Sequence, residues 1–216
     1  MSPRNPPIAP PDPPIRLLVC VSGGGTTLQN LVERVAAGQL AAEVVGVVAS
    51  RAGIGAIARA EAAGLPLAVE ARAGRSVAEQ SAAIFGHARA RGADLVVLAG
   101  FLALVEIPDD YAGRVVNVHP SLIPAFSGRG YHGRHVHEAA VAWGVKLSGC
   151  TVHFVDATYD TGPIILQAPV PVLASDTPDS LAARVFEAEC EALPEAIALY
   201  AAGKLRVEGR RVVILP

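Results

Sequence analysis

The sequence is poor in the residues that build disulfide frameworks and thiolate metal sites, with only three cysteines among 216 residues. Cys20, Cys150 and Cys190 are far apart, and none belongs to a CxxC arrangement. Neither a disulfide framework nor a cysteine-based metal site is therefore indicated. This low cysteine content fits a reducing compartment, and we expect the protein to be located in the cytoplasm.

The sequence also lacks an excess of charge of one sign and any long apolar run. Its 18 basic and 20 acidic residues give a formal net charge of −2, and no basic stripe stands out. A general attraction to nucleic acid is therefore not expected, and any phosphate must be bound locally. No apolar run reaches the roughly 20 residues that a membrane-spanning helix needs. We expect small-molecule substrates, no nucleic acid or membrane partner, and a monomer or homodimer.

Apolar residues, by contrast, are abundant: they make up 51% of the chain, against 18% charged residues. This balance is typical of a well-buried globular protein. Residues 1–14 hold seven prolines and lack the pattern of a signal peptide, which predicts a disordered or polyproline II tail. Residues 15–216 are predicted to form a single catalytic domain.

Short apolar runs alternate with segments of helical spacing along the chain. Seven such runs predict strands, at Arg16–Val21, Glu43–Ala49, Pro66–Val69, Asp94–Leu98, Arg114–Val118, Ser148–Val155 and Ile164–Leu173. A long helix is expected from Pro178 to about Ala202, followed by a hairpin over Leu205–Leu215. The pattern predicts an α/β fold of three layers, with a Rossmann-like, mostly parallel, seven-stranded sheet and helices on both faces. Ligands of such sheets gather at the carboxyl ends of the strands.

The loop after the first strand reads Ser22-Gly-Gly-Gly-Thr-Thr27 and precedes a helix. Glycines allow close backbone approach, and free amides at a helix N-terminus favour an anion. The loop is neither a Walker A sequence nor a complete GxGxxG fingerprint. A tight turn with a threonine N-cap explains it as well as phosphate binding does.

Two further loops are ambiguous when each is taken alone. Ala99–Val105 follows the fourth strand and offers an apolar wall, for which plain core packing is the favoured interpretation. Asp160 lies between the sixth and seventh strands, where it is suited to orient an imidazole. Its local sequence, Asp-Thr-Gly-Pro, is typical of a turn, which is the favoured interpretation from local chemistry alone.

The loop after the fifth strand carries the strongest chemical signal. Asn117 and His119 are two residues apart, so they project from the same face at the end of a buried strand. An amide donor beside an imidazole suits an oxyanion site with a general acid or base. We therefore favour a catalytic interpretation over a structural histidine.

A metal site at His132, His135 and His137 is rejected, because no cysteine or carboxylate pattern completes it.

At these loops the sequence resembles the folate-dependent formyltransferases, in particular those that act on glycinamide ribonucleotide. The matching segments, in family order, are SGGGTTLQNL, DLVVLAGFL, RVVNVHPSLIPAF and GCTVHFVDATYDTGPIILQAPVPV. The similarity extends over about residues 15–206. It implies transfer of a formyl group from 10-formyltetrahydrofolate, a co-substrate, to the amine of 5-phosphoribosylglycinamide in purine biosynthesis, with no metal.

The resemblance also implies roles for individual residues. Asn117, His119 and Asp160 match the catalytic positions of the family. The ribonucleotide-binding positions are Gly25, Thr26, Thr27 and Glu189. The folate-binding positions are Arg75, Leu102, Ala103, Leu104, Val105, Asn117, Asp156, Ala157, Thr158, Tyr159 and Asp160, with Arg75 placed by spacing alone.

The chain departs from the family pattern in the stretch Gly128–Arg134, which is longer than the usual link into the next helix. Three other functions remain open. They are formyl transfer to a different amine, hydrolysis of formyltetrahydrofolate, and noncatalytic nucleotide binding, although the last leaves Asn117, His119 and Asp160 unexplained.

Overall fold

A nine-stranded sheet runs through residues 14–216, the part of the chain that the computed structural model describes. The expected proline-rich tail lies outside the described residues, except for Pro14. The strands are β1 (Ile15–Val21), β2 (Ala42–Ala49), β3 (Leu67–Val69), β4 (Leu95–Leu98), β5 (Val115–His119), β6 (Leu147–Phe154), β7 (Ile164–Pro171), β8 (Leu205–Glu208) and β9 (Arg211–Ile214). The helices are α1 (Thr26–Ala36), α2 (Gly55–Ala62), α3 (Val77–Ala90), α4 (Arg134–Trp143) and α5 (Pro178–Ala201).

The strands lie in the order β3-β2-β1-β4-β5-β6-β7-β9-β8. The half from β3 to β5 is parallel, whereas β6 is antiparallel to both β5 and β7. The expected α/β fold with a mostly parallel sheet between helices is confirmed. The expected number of strands is wrong: the C-terminal hairpin of β8 and β9 joins the same sheet, because Arg211 of β9 pairs with Ile164 of β7. The hairpin thereby covers backbone groups that β7 would otherwise leave unpaired at the edge.

Both faces of the sheet are covered, which explains why the strands read as continuous apolar runs. Leu17, Val19 and Val21 of β1 belong to a core that also contains buried residues of α1, α2, α4 and α5. Leu18 and Cys20 point to the opposite face, where they join a smaller core built with α3. Among residues 14–216, no helix combines the length and apolar character needed to cross a bilayer.

The register of the strands brings several loops together at one edge. Cys20 of β1 pairs with Leu98 of β4, and Leu98 pairs with Asn117 of β5, so these parallel strands end side by side. Because β6 is antiparallel, its last residue, Phe154, lies beside Val116 near the start of β5. The segment after β6 must therefore turn back along the sheet to reach the edge where β5 ends.

Gly162 makes this return path possible. A Cβ atom at this position would lie 1.8 Å from the carbonyl oxygen of Phe154, which no side chain tolerates. The chain therefore packs directly on the end of β6 at Gly162, immediately before β7 begins.

Candidate active site

The carboxyl end of β5 places Asn117 and His119 on one face of the sheet, as the two-residue spacing requires. His119 is 4% exposed, and Asn117 is partly buried. Polar side chains at such depth need partners, since an unpaired buried polar group costs about 1–3 kcal/mol.

Asp160 supplies one of these partners from the segment between β6 and β7. Its Oδ2 atom lies 3.5 Å from Nδ1 of His119, and its Oδ1 atom accepts a hydrogen bond of 3.4 Å from the amide of Asn117. The carboxylate also accepts a hydrogen bond of 2.9 Å from the backbone N–H of Gly128. Asn117, His119 and Asp160 thus meet around one point, although Asp160 is more than 40 residues away in sequence.

The imidazole of His119 is held from two sides. Its Nε2 atom lies 2.9 Å from the carbonyl oxygen of Phe126, so Nε2 acts as a donor and Nδ1 is directed to Asp160. Phe126 and Asp160 are the two non-glycine residues of the described chain with positive φ, at 49° and 57°. Left-handed backbone of this kind is unfavourable for residues with a side chain and tends to cluster at functional sites. Here both residues, Phe126 and Asp160, contact the imidazole of His119.

Burial and charge act in opposite directions on this pair. Burial lowers the pKa of His119 below its usual value, and the neighbouring Asp160 carboxylate offsets only part of this effect. For Asp160, burial by itself would raise the pKa, but the neighbouring imidazoles of His153 and His119 and the Gly128 amide together hold it below its usual value. The pair therefore presents a carboxylate and a mostly neutral imidazole near pH 7.

His153 of β6 belongs to the same cluster, and the sequence analysis missed it. Its Nε2 atom lies 3.1 Å from the amide nitrogen of Asn117, and its Nδ1 atom lies 2.7 Å from the carbonyl oxygen of Phe154. Nδ1 therefore carries the proton, and Nε2 accepts a hydrogen bond from Asn117. The buried ring fixes which way the Asn117 amide points. A polar residue inside the apolar run of β6 was the available signal, of the same kind as that for His119.

A cavity of about 340 Å³ opens directly onto these side chains. Its walls come from the ends of β4 and β5, the segment after Gly128, and the residues Tyr159 and Asp160. Leu102, one of the residues assigned to folate, lines this cavity.

A smaller cleft of about 50 Å³ adjoins the cavity and shares Phe101, Asn117, Tyr159 and Asp160 with it. Four other residues assigned to folate line this cleft, namely Ala103, Leu104, Val105 and Thr158. Asp156 and Ala157 line neither space. Asp156 instead shapes the loop, since its carboxylate accepts hydrogen bonds from Thr158 N and Thr161 Oγ1.

The glycine loop lies at the same edge of the sheet. Gly25 is the N-cap of α1 with φ at 78°, so the N-cap is a glycine and not one of the threonines. A Cβ atom at Gly25 would lie 2.7 Å from Cα of Ala56, and the loop thus packs tightly on α2. No side chain caps the first turn of α1, which begins at Thr26 and Thr27. The loop is tied to the cavity wall, because Ser22 Oγ accepts a hydrogen bond of 3.0 Å from Leu102 N.

Glu189 lies on α5, which packs against α1. The amide of Asn30 on α1 donates a hydrogen bond of 3.1 Å to the carbonyl oxygen of Cys190, the residue next to Glu189. A separate cavity of about 180 Å³ between these helices includes Thr26 and Cys190 in its wall. Burial raises the pKa of Glu189 to about 7. Glu189 is partly buried, and no cation forms an ion pair with it among residues 14–216. A carboxyl group in this setting favours a polar partner such as a hydroxyl group.

Comparison with known proteins identifies the family of the chain. A family model described as formyl transferase matches residues 15–197. The chain belongs to the formyl transferase family. It is 33% identical to the phosphoribosylglycinamide formyltransferase of Haemophilus influenzae, over 89% of this chain and 90% of that protein. The crystal structure of glycinamide ribonucleotide transformylase 1 from Symbiobacterium toebii superposes with a TM-score of 0.87 at 43% identity, covering 94% of this chain and 95% of that one.

Other members of the family carry the matching region inside much longer chains. The trifunctional purine biosynthetic protein adenosine-3 of Drosophila melanogaster is 40% identical over 87% of this chain. This chain spans only 14% of the length of that relative.

Arg75 is not brought to the site in this formyl transferase chain. Its guanidinium donates a hydrogen bond of 2.8 Å to Glu70 and binds the carbonyl oxygen of Ala71, beyond the carboxyl end of β3. Arg75 contributes to neither the 340 Å³ cavity nor the adjoining cleft. Its contact with folate stays a prediction.

Of the three histidines in the stretch 132–137, His132 and His135 pack edge to face, with ring centroids 5.7 Å apart. His135 lies at the surface and pairs with Glu138 at 3.1 Å, whereas His137 is buried in the first turns of α4. Among the described residues, Nδ1 of His137 has no hydrogen-bond partner. Burial lowers the pKa of His137, and the charge of His119 lowers it further. His137 thus lies within electrostatic range of His119, although the sequence analysis considered it only as a metal ligand and rejected that role.

Proposed function

We propose that this chain transfers the formyl group of 10-formyltetrahydrofolate to the primary amine of 5-phosphoribosylglycinamide. The products are formylglycinamide ribonucleotide and tetrahydrofolate, in the synthesis of purines. The observation that carries the proposal is the meeting of Asn117, His119 and Asp160 at one cavity, in a chain similar over nearly its whole length to glycinamide ribonucleotide transformylases.

In the proposed reaction, the substrate amine attacks the formyl carbon, and the carbonyl oxygen develops negative charge. Asn117 donates to this oxygen. One N–H of its amide is directed to His153 at 3.1 Å, while the other makes only a long contact of 3.4 Å with Asp160 and is free to change partner. Donors preorganised in this way for an oxyanion typically contribute a factor of about 10²–10³ in rate.

His119 responds to the charge that forms. Because its pKa is lowered by burial, the resting imidazole is mostly neutral near pH 7, so a permanent imidazolium is not expected. A negative oxygen nearby raises that pKa, and His119 then takes up a proton while Asp160 stabilises the imidazolium. Asp160 also helps to move protons through water from the attacking amine to the departing folate nitrogen. Acid–base groups of this kind contribute about 10²–10⁴ in rate.

Gly25, Thr26 and Thr27 bind the phosphate of the ribonucleotide. No side chain caps the amides at the start of α1, so they are available to an anion, and the helix dipole favours negative charge there. Glu189 accepts hydrogen bonds from hydroxyl groups of the ribose. Its neutral form at about pH 7 is also able to donate.

The folate binds in the cleft beside Asn117 and Asp160. The cleft has apolar walls at Leu104 and Val105 and polar groups from Asn117, His153 and Asp160, a combination that suits a flat heteroaromatic ring. Ala103, Thr158 and Tyr159 complete the walls of the cleft, and Leu102 contacts the folate from the adjoining 340 Å³ cavity. Asp156 and Ala157 act through the shape of the loop. The reaction uses no metal and takes place in the cytoplasm, in keeping with three cysteines that are free thiols.

The proposal is tested by incubating the purified chain with 10-formyltetrahydrofolate and, in separate reactions, 5-phosphoribosylglycinamide, methionyl-tRNA, an amino sugar nucleotide or water alone. Mass spectrometry then identifies the formylated product. We expect formylglycinamide ribonucleotide as the main product. Equal release of formate with and without the amine would show a hydrolase instead and contradict the proposal.

A further inference from the structure

Apart from the Gly128 amide that binds Asp160, the residues from Gly128 to Arg134 have no part in the mechanism above, and we call this stretch the 128–134 loop. Six of its seven residues line the 340 Å³ cavity, namely Gly128, Arg129, Gly130, Tyr131, His132 and Gly133. The loop therefore forms one wall of the site. A substrate in the cavity must contact it.

The loop is joined to the catalytic cluster at its first residues. The backbone N–H of Gly128 binds Asp160, and the carbonyl oxygen of Phe126, two residues earlier, binds His119. The ring of Tyr131 packs against that of Phe126 with centroids 6.2 Å apart. These contacts fix the start of the loop relative to the reacting groups, and Arg129 directly follows the Gly128 contact.

Arg129 is exposed and lines the cavity. No hydrogen bond or ion pair joins its guanidinium to any group among residues 14–216. Arg134, at the other end of the loop, is different: it binds Glu138 at 2.8 Å and Asp179 at 2.7 Å. The two arginines thus have similar exposure and neighbouring positions, but only Arg129 has its donors available at the mouth of the cavity.

The charges around the cavity explain what a free guanidinium would bind. Asp160 is the acidic residue in the cavity wall, and its two oxygens are already engaged with Asn117, His119 and Gly128. Arg129 is therefore left to interact with a group brought by a ligand. A guanidinium presents paired N–H donors that match the oxygens of a carboxylate or a phosphate.

We infer that Arg129 is a specificity-determining residue that binds an anionic group of a substrate. The inference rests on the proposed function, whose two substrates each carry such a group. The amine substrate has a 5′-phosphate, and the folate has the carboxylates of its glutamyl tail. A phosphate and a carboxylate are recognised by the same donors, and the experiment separates the two sources.

The test compares Arg129→Gln with the matched control Arg134→Gln. The KM and kcat are measured while each substrate is varied in turn. The amine is used with and without its phosphate, as 5-phosphoribosylglycinamide and ribosylglycinamide. The folate donor is used with and without its glutamyl tail, as the formylated folate and the formylated pteroate.

For Arg129→Gln we expect the KM of one substrate to rise about tenfold, with kcat changed less than about twofold, as for loss of one charge-assisted contact. The same substitution should leave the KM unchanged for the version of that substrate that lacks the anionic group. Arg134→Gln should leave both KM values unchanged. Unchanged KM values for Arg129→Gln, or an equal rise with and without the anion, would overturn the inference.

Failure of the proposed function gives a different result. In that case the unsubstituted chain and Arg134→Gln would both transfer no formyl group to 5-phosphoribosylglycinamide. Calorimetric titration with the formylated folate and with 5-phosphoribosylglycinamide then tests Arg129 independently of turnover. Weaker binding of either probe to Arg129→Gln than to Arg134→Gln supports the inference, and equal binding of both probes overturns it.

Discussion

The glycine loop at residues 22–27 and the cluster around His119 lie at the same edge of the sheet, yet they are built to handle negative charge in different ways. The glycine loop presents backbone amides at the start of α1, without a side-chain cap. The cluster uses buried side chains from β5, β6 and the segment before β7, each oriented by another. The first arrangement suits an anion that is already charged and solvated. The second suits charge that appears only during a reaction.

The largest effect is expected from breaking the buried cluster. His119→Ala and Asp160→Ala should each lower kcat by about 10²–10⁴, because they remove the group that takes up a proton and the carboxylate that orients it. Steady-state kinetics measures the loss, and circular dichroism checks that the fold is retained. Asp179→Ala, which changes an exposed carboxylate paired with Arg134, serves as the control and should keep normal turnover. Near-normal turnover in both variants would show that His119 and Asp160 are not catalytic residues.

Breaking the glycine loop should affect binding more than chemistry. Gly25→Ala places a Cβ 2.7 Å from Cα of Ala56 on a residue with φ at 78°, so the loop must shift away from α2. We expect the KM for the ribonucleotide to rise at least about tenfold, with a loss of about 1–3 kcal/mol in the free energy of unfolding.

The control for this loop is Gly38→Ala, where φ is 68° and no atom lies within 4 Å of the added Cβ. This variant should lose some stability through its backbone alone and keep the KM of the unsubstituted chain. If the two variants have the same KM, the close contact of the loop with α2 does not matter for binding.

The role of Glu189 in the proposed ribonucleotide-binding site can be tested through the pH dependence of stability. Burial raises its pKa from 4.5 to about 7, so ionisation is less favourable in the folded chain than in the unfolded one. The stability of the folded chain should therefore fall as pH rises from about 4.5 to 7. Glu189→Gln removes this loss and should be more stable than the unsubstituted chain above pH 7, by roughly 1–2 kcal/mol after allowance for partial exposure.

Thermal unfolding at pH 4 and pH 8 measures this difference. The gain at pH 8 corresponds to about 2–8 °C in Tm and should vanish at pH 4, where the carboxyl is protonated in both states. Binding of the ribonucleotide should weaken at the same time, since the ribose loses an acceptor. A gain of the same size at both pH values would mean that the ionisation of Glu189 is not its cause.

The smallest effect is expected at Arg75. Its side chain is engaged by Glu70 and the Ala71 carbonyl oxygen and is 32% exposed, so Arg75→Ala should cost at most about 1 kcal/mol. We expect the KM for the folate to change less than about twofold. A rise of more than tenfold, measured with the formylated folate as the varied substrate, would instead support the folate contact that the family resemblance implies.

Local patterns in the sequence predicted most of the fold. The apolar runs and helical spacings identify every strand from β1 to β7 and the long helix α5, since both faces of the sheet are covered and each run is apolar throughout. The hairpin of β8 and β9 was also expected. We did not expect the hairpin to join the main sheet, because the pairing of Arg211 with Ile164 joins residues 47 positions apart and leaves no local pattern in the sequence.

The candidate site was predictable to a different degree in each of its parts. Asn117 and His119 stand out because polar residues rarely end a buried strand. His153 has the same property within β6 and was overlooked. The local sequence of Asp160 favoured a turn over an imidazole partner, and the resemblance to the family pointed to the second role. Its turn geometry is real, with φ at 57°, so the two interpretations are compatible.

By itself, the sequence determined which segments become strands and helices and which loops carry polar groups, because burial and backbone preferences act over a few residues. Only the tertiary structure decided that β6 runs antiparallel to β5 and that the chain then turns back at Gly162 to bring Asp160 to His119. It also decided that Arg75 is engaged by Glu70 and that Arg129 lines the cavity. Such contacts depend on pairing between distant segments, whose free energy is set by the whole sheet and not by any local run of residues.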